Sequence, residues 1–142
     1  MIDALRAVPA VHDHDVAAVI TEPMMLNQGA IEPRPGYLAA MKLLAAEAGA
    51  LLIFDEVITG FGRLGTPFGA DYFGVEPDLM TLAKGITSGV IQMDAVLAQA
   101  KLYDTFMQAP TNATELFHAS THPATPDDAR AGGSRMKSRE PA

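Results

Sequence analysis

Ala50-Leu51-Leu52-Ile53-Phe54-Asp55-Glu56 is the stretch on which the fold turns. It is an unbroken apolar run that ends abruptly on two acids, and it reads as a strand. Upstream, Val16-Ala17-Ala18-Val19-Ile20 is a second apolar run, closed by Thr21-Glu22-Pro23, where the proline halts regular structure. Runs that are apolar on both faces suit parallel strands buried on both sides. Between the two lies a Gly- and Pro-rich loop, Met24 to Pro35, and then a helix predicted over Gly36 to Gly49. Leu38, Met41, Lys42, Leu44, Ala45 and Ala48 recur there at roughly helical spacing, and Gly49 stops the helix. Strand, helix and strand in this order make a βαβ unit, whose crossover is right-handed almost without exception. The expected class is α/β, a mostly parallel sheet with flanking helices.

Further along, Thr59 to Pro67 is a glycine-rich loop and Gly69 to Gly74 a short helix. Leu79 to Ala83 is a third strand ending at Lys84, followed by a turn over Gly85 to Gly89. Met93 to Ala98 is a fourth strand, and Gln99 to Met107 a helix. After Phe117 the composition changes. Residues 118–142 contain no Val, Ile, Leu, Phe or Tyr but hold four of the ten basic residues, Arg130, Arg135, Lys137 and Arg139. Such a segment cannot bury enough apolar surface to offset its ordering entropy. The expected organisation is one partial domain over 1–117 and a disordered or aberrant tail over 118–142.

Composition narrows the function classes. The 142 residues are 49% hydrophobic, enough for a core, and carry a formal net charge of −7. That charge argues against a nucleic-acid-binding surface and against attraction to an anionic membrane. The absence of cysteine excludes disulfides and thiolate metal sites. No apolar run is long enough to span a bilayer, and Met1 to His14 does not read as a signal peptide. The expected location is the cytoplasm. His12 and His14, and His118 and His122, read as surface-loop residues; Pro123 disfavours the helix that would aim the second pair at a metal.

Asp55 and Lys84 each close an apolar strand. Ligands of open parallel sheets bind outside the carboxyl ends of the strands, so both side chains should project from one edge. An acid and an amine at such an edge are what pyridoxal phosphate needs. The lysine forms a Schiff base with the cofactor's aldehyde, and the acid keeps the pyridine nitrogen protonated so that the ring can act as an electron sink. On spacing alone the pair stays open. A strand-end Lys can be a solvated surface lysine, and a strand-end Asp-Glu can be a helix cap or a loop residue. An apolar run before Asp-Glu also matches the magnesium-binding strand of P-loop nucleotide hydrolases. That reading needs a Gly-rich loop ending in Gly-Lys-Ser/Thr, which this sequence lacks.

The flanking residues are more specific. Leu52-Ile53-Phe54-Asp55-Glu56-Val57-Ile58-Thr59-Gly60-Phe61-Gly62-Arg63 resembles the signature of class-III aminotransferases, and so does the stretch Gly69 to Gly85. Ala17 to Pro23 resembles the family's Glu-Pro element, and Pro35-Gly36-Tyr37-Leu38 the start of the helix after it. The resemblance runs over residues 16–107, with its motifs in family order and spacing.

It implies part of the large domain of a fold-type I enzyme using pyridoxal 5'-phosphate. Lys84 matches the catalytic lysine that holds the cofactor and Asp55 the acid at the pyridine nitrogen. Val57 matches the apolar residue packed on the ring, Ile58 a residue near its phenolic oxygen, and Glu22 a glutamate near the substrate pocket. The implied reaction moves an amino group between an amine or ω-amino acid and a keto acid such as pyruvate, in a homodimer. A glutamate-semialdehyde aminomutase-type relative fits the same motifs. Two features depart from the pattern. Gln92-Met93-Asp94-Ala95 stands where the family has Pro-Met-Gly-Ala, and Phe117 to Pro123 only echoes a His-Gly segment. The phosphate-binding turn, the ring-stacking aromatic residue and the small domain have no counterpart. The expectation is therefore a fragment inactive alone, or a non-catalytic remnant.

Overall fold

The apolar runs pair into one sheet because their backbone donors and acceptors, once buried, must be satisfied by neighbouring strands. The computed structural model describes residues 16–108. The sheet has four strands in spatial order β1 (Ala18–Thr21), β2 (Leu51–Asp55), β3 (Leu79–Leu82) and β4 (Ala95–Ala98). β2 is parallel to both β1 and β3, and β4 returns antiparallel to β3. The reversal has a simple cause. Parallel pairing needs a crossover, usually helical, and the β3–β4 connection holds only a 3₁₀ turn, Lys84–Ile86.

The βαβ unit forms as expected. Helix α1 spans Tyr37–Glu47 and follows Gly36, whose φ of 77° only glycine adopts readily. It ends in a Schellman arrangement: Gly49 has φ 69°, its N–H donates to the Ala46 carbonyl, and the Ala50 N–H donates to Ala45. Leu38, Met41 and Ala45 of α1 pack on Leu52 and Phe54 of β2, together with Ala50 and Val75. Leu52 and Phe54 are fully buried, a contribution of about 2 kcal/mol each. Helix α2 (Gly69–Phe73) adds Ala70 and Phe73 to the margin of that core, and α3 covers Ala100–Met107. No helix among the described residues is long and apolar enough to cross a membrane.

The structure corrects two expectations. β1 is an edge strand, and its burial alternates along the chain instead of being complete. Ile20 is 61% exposed because the face it shares with Ile53 and Leu79 carries no helix among the described residues. Lys84 does not close β3: the strand ends at Leu82, and Lys84 opens the 3₁₀ turn with φ 45°. The expected tail, residues 118–142, lies outside the described residues, as do His12, His14, His118 and His122.

At the amino ends of β2 and β3 the chain is fastened by Asp78, which is buried. Its Oδ2 accepts from the Leu52 N–H at 2.9 Å and from Lys42 Nζ at 2.7 Å, and its Oδ1 accepts from Lys101 Nζ at 2.8 Å. One side chain thereby joins α1, β2 and α3. Burial opposes its charge, but the hydrogen bonds from Lys101, Lys42 and Leu52 and the Lys42 charge outweigh it, and the pKa falls to about 2. A carboxyl whose pKa is depressed by folding stabilises the fold above its unfolded value, and that contribution is lost as pH falls through the folded value. Asp78→Asn should destabilise the chain by about 2 kcal/mol at pH 7 in urea unfolding, with the gap to the parent chain closing between about pH 4 and pH 2. A gap that does not change across that window would show that the ion pairs do not hold the fold.

Candidate functional site

The carboxyl ends of β1, β2 and β3 lie side by side, because Thr21 pairs with Phe54 and Asp55 with Thr81. The residues that follow these strands therefore share one edge: Glu22-Pro23 after β1, Glu56 onward after β2, and Ala83-Lys84 after β3. The edge brings together the segments carrying Glu22, Asp55, Val57, Ile58 and Lys84.

Asp55 is half-buried and locally fixed. Its Oδ1 accepts from the Val57 N–H at 3.0 Å, a turn that short acidic side chains favour, and from the Thr81 hydroxyl at 3.3 Å. Its Oδ2 has no hydrogen bond among the described residues. Lys84 is exposed, and its amine makes no ion pair among the described residues. Val57 and Ile58 are half-buried in the turn that leaves β2. Glu22 is half-buried too, yet its Oε2 is buried without a hydrogen-bond partner among the described residues. A buried acceptor left unpaired costs about 1–3 kcal/mol, so Glu22 is an open valence at this edge.

Glu56 is the residue that sequence reasoning passed over. It is fully buried. Its Oε2 accepts from the Thr59 hydroxyl at 2.5 Å and from the Gly69 N–H at 2.8 Å, and its Oε1 accepts from the Ala70 N–H at 2.7 Å. Gly69 and Ala70 open α2, so Glu56 caps that helix from a distance and meets its positive end. The carboxyl leaves no room around it. A Cβ on Gly69 would lie 3.0 Å from Glu56 Oε2 and from Pro23 Cβ, and one on Gly60 would lie 2.8 Å from the Glu56 carbonyl oxygen. Of the two strand-end acids, one is a remote helix cap and the other keeps one oxygen without a hydrogen bond among the described residues. The only sequence signal for this division was the glycine at position 69.

The donor set fits pyridoxal phosphate in part. Asp55 Oδ2 offers an acceptor for a ring N–H, Lys84 offers an amine with no ion pair among the described residues for an aldehyde, and Val57, whose N–H binds Asp55 Oδ1, is an apolar neighbour two residues on. A metal is a poorer fit, since no group of three or more His, Asp or Glu side chains suited to one occurs among the described residues.

Comparison with known proteins gives the same direction. The family described as Aminotransferase class-III matches residues 1–135, so the match extends past Phe117 into the segment read as a tail. Class-III aminotransferases depend on pyridoxal phosphate. The chain is 49% identical over 124 residues to a β-alanine–pyruvate aminotransferase of Pseudomonas aeruginosa, covering 85% of this chain and 28% of that protein. An (S)-enantioselective ω-transaminase from Thermomicrobium roseum superposes with TM-score 0.76 at 38% identity, covering 82% of this chain and 26% of that one. The ω-transaminase of Pseudomonas jessenii, in complex with PMP, superposes with TM-score 0.70 at 34% identity, covering 72% and 23%. The chain thus spans between 23% and 28% of the length of these relatives.

Replacing Glu56 tests the frame under the site. Glu56→Gln should cost about 1–3 kcal/mol, because an amide cannot accept from all three donors. Amide hydrogen exchange at Gly69 and Ala70 should accelerate more than exchange in α1. Uniform acceleration across the chain would instead mean that Glu56 contributes only bulk stability.

Proposed function

The chain belongs to the class-III aminotransferases, and on that premise we propose that it carries two central groups of a pyridoxal-phosphate enzyme. Asp55 is the partner of the pyridine nitrogen, and Lys84 is the covalent anchor and proton carrier. The supporting observation is the pairing of β2 with β3, which brings the ends of both strands, and with them Asp55 and Lys84, to one edge of the sheet. The reaction is transfer of an amino group from an amine or ω-amino acid to a keto acid such as pyruvate. The β-alanine–pyruvate relative supports that substrate class.

When bound, the cofactor withdraws the electron pair left behind as a proton departs from the substrate's amino-bearing carbon. The protein's part follows from its own atoms. Asp55 Oδ1 is held by Val57 and Thr81, which orients the carboxyl and leaves Oδ2 to accept from a ring N–H. A charge there keeps that proton in place throughout the reaction. Lys84 Nζ would hold the cofactor's aldehyde and, when released from it, would serve as the base that takes the proton from the substrate carbon and later returns it. Val57 would pack against the ring and Ile58 would lie near its oxygen substituent. Glu22 supplies an acceptor for a cationic group that closes over the substrate, which would satisfy its unpaired Oε2.

The 142 residues by themselves turn nothing over in this reading. They span 28% of the β-alanine–pyruvate relative, and none of the described residues is assigned as an anchor for the cofactor's phosphate. The complete enzyme is a cytoplasmic homodimer that acts on small molecules, not on nucleic acids or membranes.

Mixing the full chain with pyridoxal phosphate, reducing with borohydride and mapping the peptides tests the assignment. Label should concentrate at Lys84 and vanish from that peptide in Lys84→Ala. Asp55→Asn should lower Lys84 labelling by about tenfold or more, since breaking a hydrogen-bonded charge pair costs about 3 kcal/mol before discounting for exposure. Label spread evenly over Lys42, Lys84 and Lys101 would refute the role given to Lys84.

A further inference from the structure

Lys84 has φ 45°, in the left-handed region that residues with a Cβ rarely enter. Such a backbone persists only where its surroundings impose it. Two neighbours could do so. On one side, Ile86 is buried and donates its N–H to the Ala83 carbonyl at 3.2 Å, which closes the 3₁₀ turn. On the other side is Phe61. A Cβ built on Gly85 would lie 2.8 Å from Phe61 Cβ, 3.0 Å from Cδ2 and 3.1 Å from Cγ. Phe61 therefore presses on the backbone of the residue that follows Lys84, at a distance that only glycine permits.

Phe61 is itself held in place. Its φ is 61°, and its ring meets Phe68 edge-on, with centroids 5.7 Å apart and planes at 68°. Such pairs add about 0.5–1.5 kcal/mol beyond burial. Phe68 immediately precedes α2, and its N–H donates to Asp71 Oδ2 at 3.2 Å. The start of α2 is bound to the Glu56 carboxyl. A continuous line of contacts thus runs from Glu56 through α2, Phe68 and Phe61 to Gly85, next to Lys84. It joins the loop after β2 to the turn after β3.

We propose that Phe61 is a positioning residue for Lys84. Packed on Gly85, it holds the Lys84 backbone in the left-handed conformation and so fixes where the amine stands. It acts through Gly85, not by touching the cofactor. This rests on the reading of Lys84 as the cofactor's anchor, but the backbone claim can be measured without cofactor.

The test uses the isotope-labelled full chain. A positive φ shortens the distance between a residue's own amide and α protons, so the Lys84 intraresidue cross-peak should be strong. It should weaken in Phe61→Ala and stay strong in Phe61→Tyr, which keeps the ring. It should also weaken in Gly85→Ala, where the new methyl group collides with Phe61. In parallel, borohydride-fixed pyridoxal phosphate at Lys84 should fall by about tenfold or more in Phe61→Ala and Gly85→Ala relative to label at Lys101, and recover in Phe61→Tyr.

A folded Phe61→Ala chain that keeps the strong cross-peak and the parent labelling ratio would overturn the proposal. If Phe61→Ala does not fold, Gly85→Ala decides: a parent-like cross-peak there means that Phe61 does not press on this backbone. A Phe61-dependent cross-peak in a chain that never takes label at Lys84 would uphold the positioning role and refute the cofactor reading instead.

Discussion

A carboxyl group with no exposure to water has to be surrounded by donors, and Glu56 is surrounded by three: the Thr59 hydroxyl and the amides of Gly69 and Ala70. Losing hydration at such a group is costly unless every acceptor site is used. Much of the local architecture follows from that need. The chain leaving β2 must turn at once so that Thr59 can reach back, and α2 must begin beside the carboxyl. The residues in the crowded space, Gly60 and Gly69, must lack side chains because Glu56 and Pro23 occupy it. The loops after β1 and β2 are thereby packed against each other before any ligand is considered, and Phe61 extends the contact to the turn after β3.

Asp78 does similar work at the opposite edge of the sheet, with a different balance. It takes two lysines and a strand amide, and those contacts outweigh burial strongly enough to hold its pKa at about 2. The two acids divide the fold. Asp78 ties helices to the amino ends of the strands, and Glu56 organises the loops at the carboxyl ends. Asp55, between β2 and those loops, has one oxygen engaged and one without a partner among the described residues. A site built on a frame held by other residues can keep its own groups unsatisfied, which is what binding and proton transfer require.

The sheet is covered on one side only among the described residues. Leu52, Phe54 and Leu82 are buried on the face where α1 packs against β2, whereas Ile20 and Val96 on the other face are 61% and 57% exposed. Asp55 belongs to that second face, paired with Thr81 across the strands. An apolar strand in a parallel sheet is normally covered on both sides. The uncovered face fits the fact that the chain spans only 28% of its β-alanine–pyruvate relative.

The sequence by itself determined the elements and their class. Unbroken apolar runs, a helical period ended by Gly49, and glycine-marked loops are local properties, and local physics settles them. It also singled out Asp55 and Lys84, although Lys84 lies past the end of β3 and does not close it, and the motifs around them resembled one family. Tertiary structure decided what no local pattern encodes. The direction of β4 depends on what lies between strands. The exposure of β1 depends on which neighbours exist. The separation of Asp55 from Glu56 depends on a helix that begins thirteen residues later and turns its amides toward one of them. The left-handed backbone of Lys84 sits beside Gly85, which an aromatic ring from another loop approaches closely. Each is a contact between residues distant in sequence, and burial, not propensity, fixes it.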